Sequence, residues 1–215
     1  ADDPKSMLDG LVGLQVTVTD GDGDTDSASI ELGSLIKFED DGPTVDVTPE
    51  PGAEIRIDES TGYDFGDDPN AADEWSSPDP DDIGYALVSL ASLYGSTSAY
   101  GSDGPGTTTT KLVIPSEGAD SGLIDTETGD PVLLFTEGDK IVGRAGDAAG
   151  PIVIPVEIVG GNVEVHQYRA VVHNDPNDPD EADTPATFAE GALLLEVTVT
   201  DGDGDSDTGP LDLGQ

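Results

Sequence analysis

The sequence predicts an all-β fold, an antiparallel β-sandwich module with at most one short helix, on three observations. Apolar residues alternate over short runs rich in Val, Ile and Thr, glycine- and proline-marked turns bound those runs, and only one stretch repeats at helical spacing. In chain order the alternating runs are 11–19, 29–38, 44–47, 54–57, 109–114, 132–135, 140–144, 152–159, 163–172 and 193–200. Two hairpins stand out among them. PVLLF and KIVGR flank the turn residues TEGD, and PVEIV and VEVHQYRA flank GGN, where glycines supply the positive φ that a tight hairpin turn needs. The helical exception is 83–94, where Ile83, Ala86, Leu87, Leu90 and Leu93 recur at a spacing of three to four.

Forty-seven acidic residues stand against seven basic ones, a formal charge of −40. Such a chain repels phosphate, which excludes nucleic acid as a partner and direct contact with an anionic membrane. Cysteine is absent, so neither a disulfide nor a thiolate metal site supports the fold, and stability is expected from packing and ions. The chain has no run of about 18 apolar residues, and its N-terminal ADDPKSMLDG lacks the basic and apolar regions of a cleavable signal. It reads as a piece of a larger polypeptide.

The acidic residues are clustered and dominated by aspartate, unlike the even, glutamate-rich coat of a salt-adapted protein. The densest string, Asp20-Gly21-Asp22-Gly23-Asp24-Thr25-Asp26, follows a VTVT run and returns as Asp201-Gly202-Asp203-Gly204-Asp205-Ser206-Asp207 behind the same four residues. Carboxylates at every second position, spaced by glycine or a small hydroxyl residue, gather the oxygen ligands that a hard cation requires, and calcium is the expected guest. A shift of the sequence by 181 positions aligns the 33 residues from Ala1 with those from Ala182 without a gap and with about half of them identical. Residues 1–46 are accordingly read as the C-terminal segment of a preceding repeat plus a domain joint near Asp40 to Pro43, and residues 47–215 as one β-sandwich repeat domain.

The expected metal ligands are Asp20, Asp22, Asp24 and Asp26, their partners Asp201, Asp203, Asp205 and Asp207, the joint residues Asp40 and Asp41, and Asp58 with Glu59 in a site shared between modules. An EF-hand does not fit: Asp20, Asp22, Asp24 and Glu31 match positions one, three, five and twelve, but Thr25 stands where the loop requires glycine and no helices flank it. Asp64, Asp67, Asp68, Asp79, Asp81 and Asp82 are adequately explained as solvated turns. His166 and His173, seven apart on one regular strand, point to opposite faces and make no zinc pair. The open, glycine-rich setting of the acidic clusters and the lack of a GxSxG elbow or P-loop argue against an enzyme.

With VTVTDGDGD followed by FEDDGPTV, and with IDESTGYD, SLASLYGS, SGLIDTETGD and VHQYRAVVHN in that order, the chain resembles the repeat domain of giant calcium-dependent bacterial adhesins of the repeats-in-toxin class, exported by type I secretion. The resemblance implies a calcium-stabilised β-sandwich on the cell surface that folds outside the cell, next to neighbouring repeats of the same chain and, in some members, an inserted or adjacent sugar- or peptide-binding domain. It implies a structural module that positions an adhesive domain. The alternative is that this module itself binds a sugar or peptide through calcium.

Overall fold

The computed structural model describes residues 5–57, 59, 79, 81–173 and 185–214. The first strands are β1 (Lys5–Ser6), β2 (Gly13–Thr19), β3 (Thr25–Glu31), β4 (Lys37–Phe38) and β5 (Thr44–Pro49). They are followed by β6 (Gly84–Ser89), the single helical turn α1 (Leu90–Leu93), β7 (Tyr94–Ala99), β8 (Pro105–Val113), β9 (Ala119–Ile124) and β10 (Pro131–Glu137). The last are β11 (Lys140–Ala145), β12 (Ile152–Val159), β13 (Asn162–Gln167), β14 (Leu194–Asp201) and β15 (Ser206–Asp212).

All pairings are antiparallel, as expected from the alternating pattern. A six-stranded sheet runs in the order β6-β13-β12-β11-β10-β9, and a three-stranded sheet in the order β15-β14-β8. Their inward side chains form the core. Val132, Leu134, Val153, Val156 and Val163 of the larger sheet and Leu195, Val197 and Val199 of β14 are buried, each stabilising the fold by about 1.5–3 kcal/mol through apolar burial. Leu93 of α1 and Leu193 cluster with the buried residues of the larger sheet, and the half-buried Leu112 of β8 packs against them. Two-stranded ribbons β5-β7, β2-β3 and β1-β4 complete the described structure.

Both hairpins form. Gly160 and Gly161 adopt φ of 58° and 84° between β12 and β13, the two-residue turn whose twist suits a hairpin. Between β10 and β11 the turn shrinks from four residues to Gly138 and Asp139, because Thr136 and Glu137 still pair with Ile141 and Lys140.

Elsewhere the structure departs from the sequence reading. Within 83–94, residues 84–89 pair with β13 as an edge strand, which puts Ala86 in the core. Helix is confined to Leu90–Leu93, whose start Ser89 caps by accepting the Ala91 amide on Oγ. Leu90 and Leu93 lie on that helical turn, whereas Ala86 fits helical spacing by coincidence and sheet pairing decides its conformation. The run 29–38 is broken by a 3₁₀ turn at Gly33–Leu35, where a Cβ on Gly33 would lie 2.5 Å from the Leu8 carbonyl oxygen. Residues 54–57 form no strand, and β13 stops at Gln167. His166 and His173 therefore do not share one strand: His166 contacts Asp82 and Glu164, and His173 contacts Glu59.

Candidate metal centre

The strand that leads into the second acidic loop explains the placement of its first aspartate. Along β14, Leu195, Val197 and Val199 point inward at every second position, and Asp201 is the next residue in that series. Its side chain is carried into the protein, leaving the residue 4% exposed. Oδ1 accepts the amides of Gly204 and Asp205 at 3.0 and 2.8 Å, which fixes the turn. Oδ2 is buried without a hydrogen-bond partner, a costly state for a carboxylate oxygen unless a cation faces it.

Three chain segments meet at this loop, and glycines permit the approach. A Cβ on Gly202 would lie 2.4 Å from the Asp103 carbonyl oxygen, and one on Gly101 would lie 2.0 Å from the Asp41 carbonyl oxygen. The Gly202 amide donates to the Gly104 carbonyl at 3.0 Å. The turn 101–104 is thus held between residues 40–42 and the loop 202–205. Gly204, at φ 108°, takes a conformation that side chains rarely adopt.

Asp40, Asp203 and Asp205 each present a carboxylate oxygen within 4.8 Å of the others. Asp103 is also electrostatically tied to Asp40, Asp203 and Asp201. The Asp40 side chain, with burial second, raises the Asp103 carboxyl, and the adjoining Asp201 carboxylate raises that of Asp203. For Asp201, burial pushes upward, but Asp203 and the Gly204 and Asp205 amides outweigh it and hold the carboxyl below its ordinary value. Like charges thus crowd a site in which one acid is forced to remain ionised. An all-oxygen donor set of this kind suits a hard cation such as calcium, which takes six to eight oxygens.

The first loop is the same turn without the surroundings. Asp20 Oδ1 accepts the amides of Asp22, Gly23 and Asp24, Gly23 adopts φ 101°, and Asp20, Asp22 and Asp24 bring carboxylate oxygens within 4.8 Å of one another. All three residues are exposed. The Asp22 side chain, followed by the Asp24 amide, lowers the Asp20 carboxyl.

Among the described residues, the other expected ligands Asp26, Asp41, Glu59 and Asp207 belong to neither of these two groups. Asp26 accepts the neighbouring Ser27 amide, and Asp207 Oδ2 accepts the Val45 amide at 2.8 Å, tying β15 to β5. Asp41 contributes its backbone against Gly101. Glu59 accepts from Gln167 Nε2 and from the Val171 amide; Asp58, Asp64, Asp67 and Asp68 lie outside the described residues. Asp82 and Asp79 are engaged by His166 and Tyr168. Asp103 escaped the sequence reading because a single aspartate in a glycine turn carries no mark of its spatial neighbours.

A paired substitution tests whether the surroundings matter. Gly202→Ala is expected to cost about 2 kcal/mol, because its methyl meets fixed backbone. Gly21→Ala, with nothing within 4 Å of its Cβ position, is expected to stay within about 0.5 kcal/mol of the parent. Chemical denaturation of the two variants reads the difference.

Fold and site together define an antiparallel β-sandwich with an acidic loop gathered against the segment 40–42 that precedes β5. Residues 54–214 match the family described as a domain of unknown function, DUF5801, and the chain belongs to that family. Comparison with curated proteins and with solved structures yields no match. Among the described residues, no helix is long and apolar enough to cross a membrane.

Proposed function

We propose that this chain is a non-enzymatic, calcium-stabilised structural module of a secreted bacterial surface adhesin, one that folds outside the cell and holds its neighbours in a fixed geometry. The observation that carries the reading is Asp201: its Oδ2 is buried without a hydrogen-bond partner, and its carboxyl interacts with Asp203, whose carboxylate gathers with those of Asp40 and Asp205. A cation bound by Asp40, Asp201, Asp203 and Asp205 joins the segment before β5 to the end of β14, so the ion acts on shape and not on chemistry. The ordered motifs shared with the repeats-in-toxin adhesins, the tandem repeat and the absence of cysteine support a role in a calcium-rich exterior reached by type I secretion.

Isothermal titration with calcium in about 1 M sodium chloride, where the Debye length falls to about 3 Å, tests the reading. Saturable binding at micromolar to millimolar concentration is expected, and its loss in Asp203→Asn/Asp205→Asn assigns it to the second loop. No heat beyond dilution in the parent chain rejects it.

A further inference from the structure

The first hairpin is built to close a second body of the same kind as the one that its repeat partner closes here. β2 pairs with β3 in the register of β14 with β15 displaced by 181: Leu14 faces Ile30 as Leu195 faces Leu211, and Thr19 faces Thr25 as Thr200 faces Ser206. Even the outward hydroxyl pair is kept, Thr17 to Ser27 and Thr198 to Thr208, each at 2.8 Å. Burial differs entirely. Leu195, Val197 and Val199 are 0–1% exposed, whereas Leu14, Val16 and Val18 are 51%, 55% and 65% exposed.

The second hairpin shows what covers such a face. β14 hydrogen-bonds to β8 from Leu194 opposite Val113 to Thr200 opposite Thr107, and its inward side chains rest on the core. β2 pairs only with β3 among the described residues, so its other edge is open. An apolar face beside an open strand edge is a template for strand addition. We infer that β2–β3 docks on the threonine-rich β8 edge and apolar floor of another DUF5801 body, with β2 in the place that β14 occupies here.

One residue keeps the hairpin from this chain's own slot. Gly209 touches β5, where an added Cβ would lie 2.6 Å from Val47 Cγ2. The equivalent residue in the first hairpin is Ala28. The body that receives β2–β3 must therefore carry a smaller residue, or a displaced strand, at the Val47 position. Neighbouring repeats are thereby keyed to their own hairpins, which guards against exchange between near-identical strands.

The test writes residues 13–33 in place of residues 194–214 of the full chain, once unchanged and once with Ala28→Gly, and reads amide exchange in β8, whose sequence is unique. The glycine version is expected to keep β8 exchange within about tenfold of the parent, and the alanine version to exchange faster and melt lower. If β8 exchanges about a thousandfold faster in both versions, the hairpin does not fit such a body and the inference fails. It fails also if the parent chain is a dimer that Val16→Lys converts to monomer, since the face then covers itself.

Discussion

Arg169→Ala should lower the melting temperature by about 10 °C. Arg169 Nε and Nη2 donate to Asp125 Oδ1 and Oδ2, both at 2.9 Å, and the Asp125 side chain is fully buried. Thr128 adds its amide and hydroxyl to Oδ2 at 2.8 and 2.7 Å. Removing one partner of such a pair strands the other charge, at a cost of about 3–5 kcal/mol. For a chain of this size each kcal/mol moves the midpoint by about 2–4 °C. Adding Asp125→Asn to Arg169→Ala should recover part of the loss, because a neutral amide is cheaper to bury; no recovery would mean that packing, not charge, is at stake.

The same pair sets an acid limit. Hydrogen bonding from Arg169, which outweighs burial, holds the Asp125 carboxyl at about 2, below its ordinary 3.8. A carboxyl depressed on folding contributes stability above its unfolded pKa and loses it as pH falls toward the folded one. The contribution is therefore complete above about pH 4 and fades between about pH 4 and 2. In Arg169→Ala the buried carboxyl titrates upward instead, so the gap between variant and parent should be widest near neutrality and narrow on acidification. Urea midpoints measured across that range check the sign.

Calcium should raise the melting temperature by about 5–10 °C over a chelated sample. One site at a hundred times its dissociation constant adds about 2.7 kcal/mol, and the size scaling above converts this to degrees. Asp203→Asn separates two contributions of opposite sign. In chelator it should melt slightly above the parent, because the raised carboxyl of Asp203 marks repulsion that the amide removes. In calcium it should melt below the parent, having lost a ligand. Asp20→Asn, in the exposed first loop, should leave most of the calcium shift intact. Coincident melting curves of the parent in calcium and chelator would remove the ion from the account.

Legibility in the sequence was uneven, for physical reasons visible in particular residues. The hairpins at Gly160–Gly161 and Gly138–Asp139 were readable because backbone conformation there depends on the residues in the turn themselves. The 83–94 segment holds the short helix that its spacing allows, but only over Leu90–Leu93, because Gly84–Ser89 pairs with β13 and so short a window does not tell the two periods apart. The paired acidic loops were readable as motifs, yet the string DGDGD is the same where it is exposed at Asp20 and where it is buried at Asp201. Asp125 lies within SGLIDTETGD, where nothing local marks its role, since its partner Arg169 is 44 residues away.

By itself the sequence determined the all-β character, the turn glycines, the tandem repeat and the acidic string, because each is written in residues that are neighbours along the chain. Only the tertiary structure decided which copy of that string acquires a buried carboxylate. Asp201 is buried because β8, the core and the 101–104 turn close around the end of β14, and those contacts come from residues that no local pattern brings together.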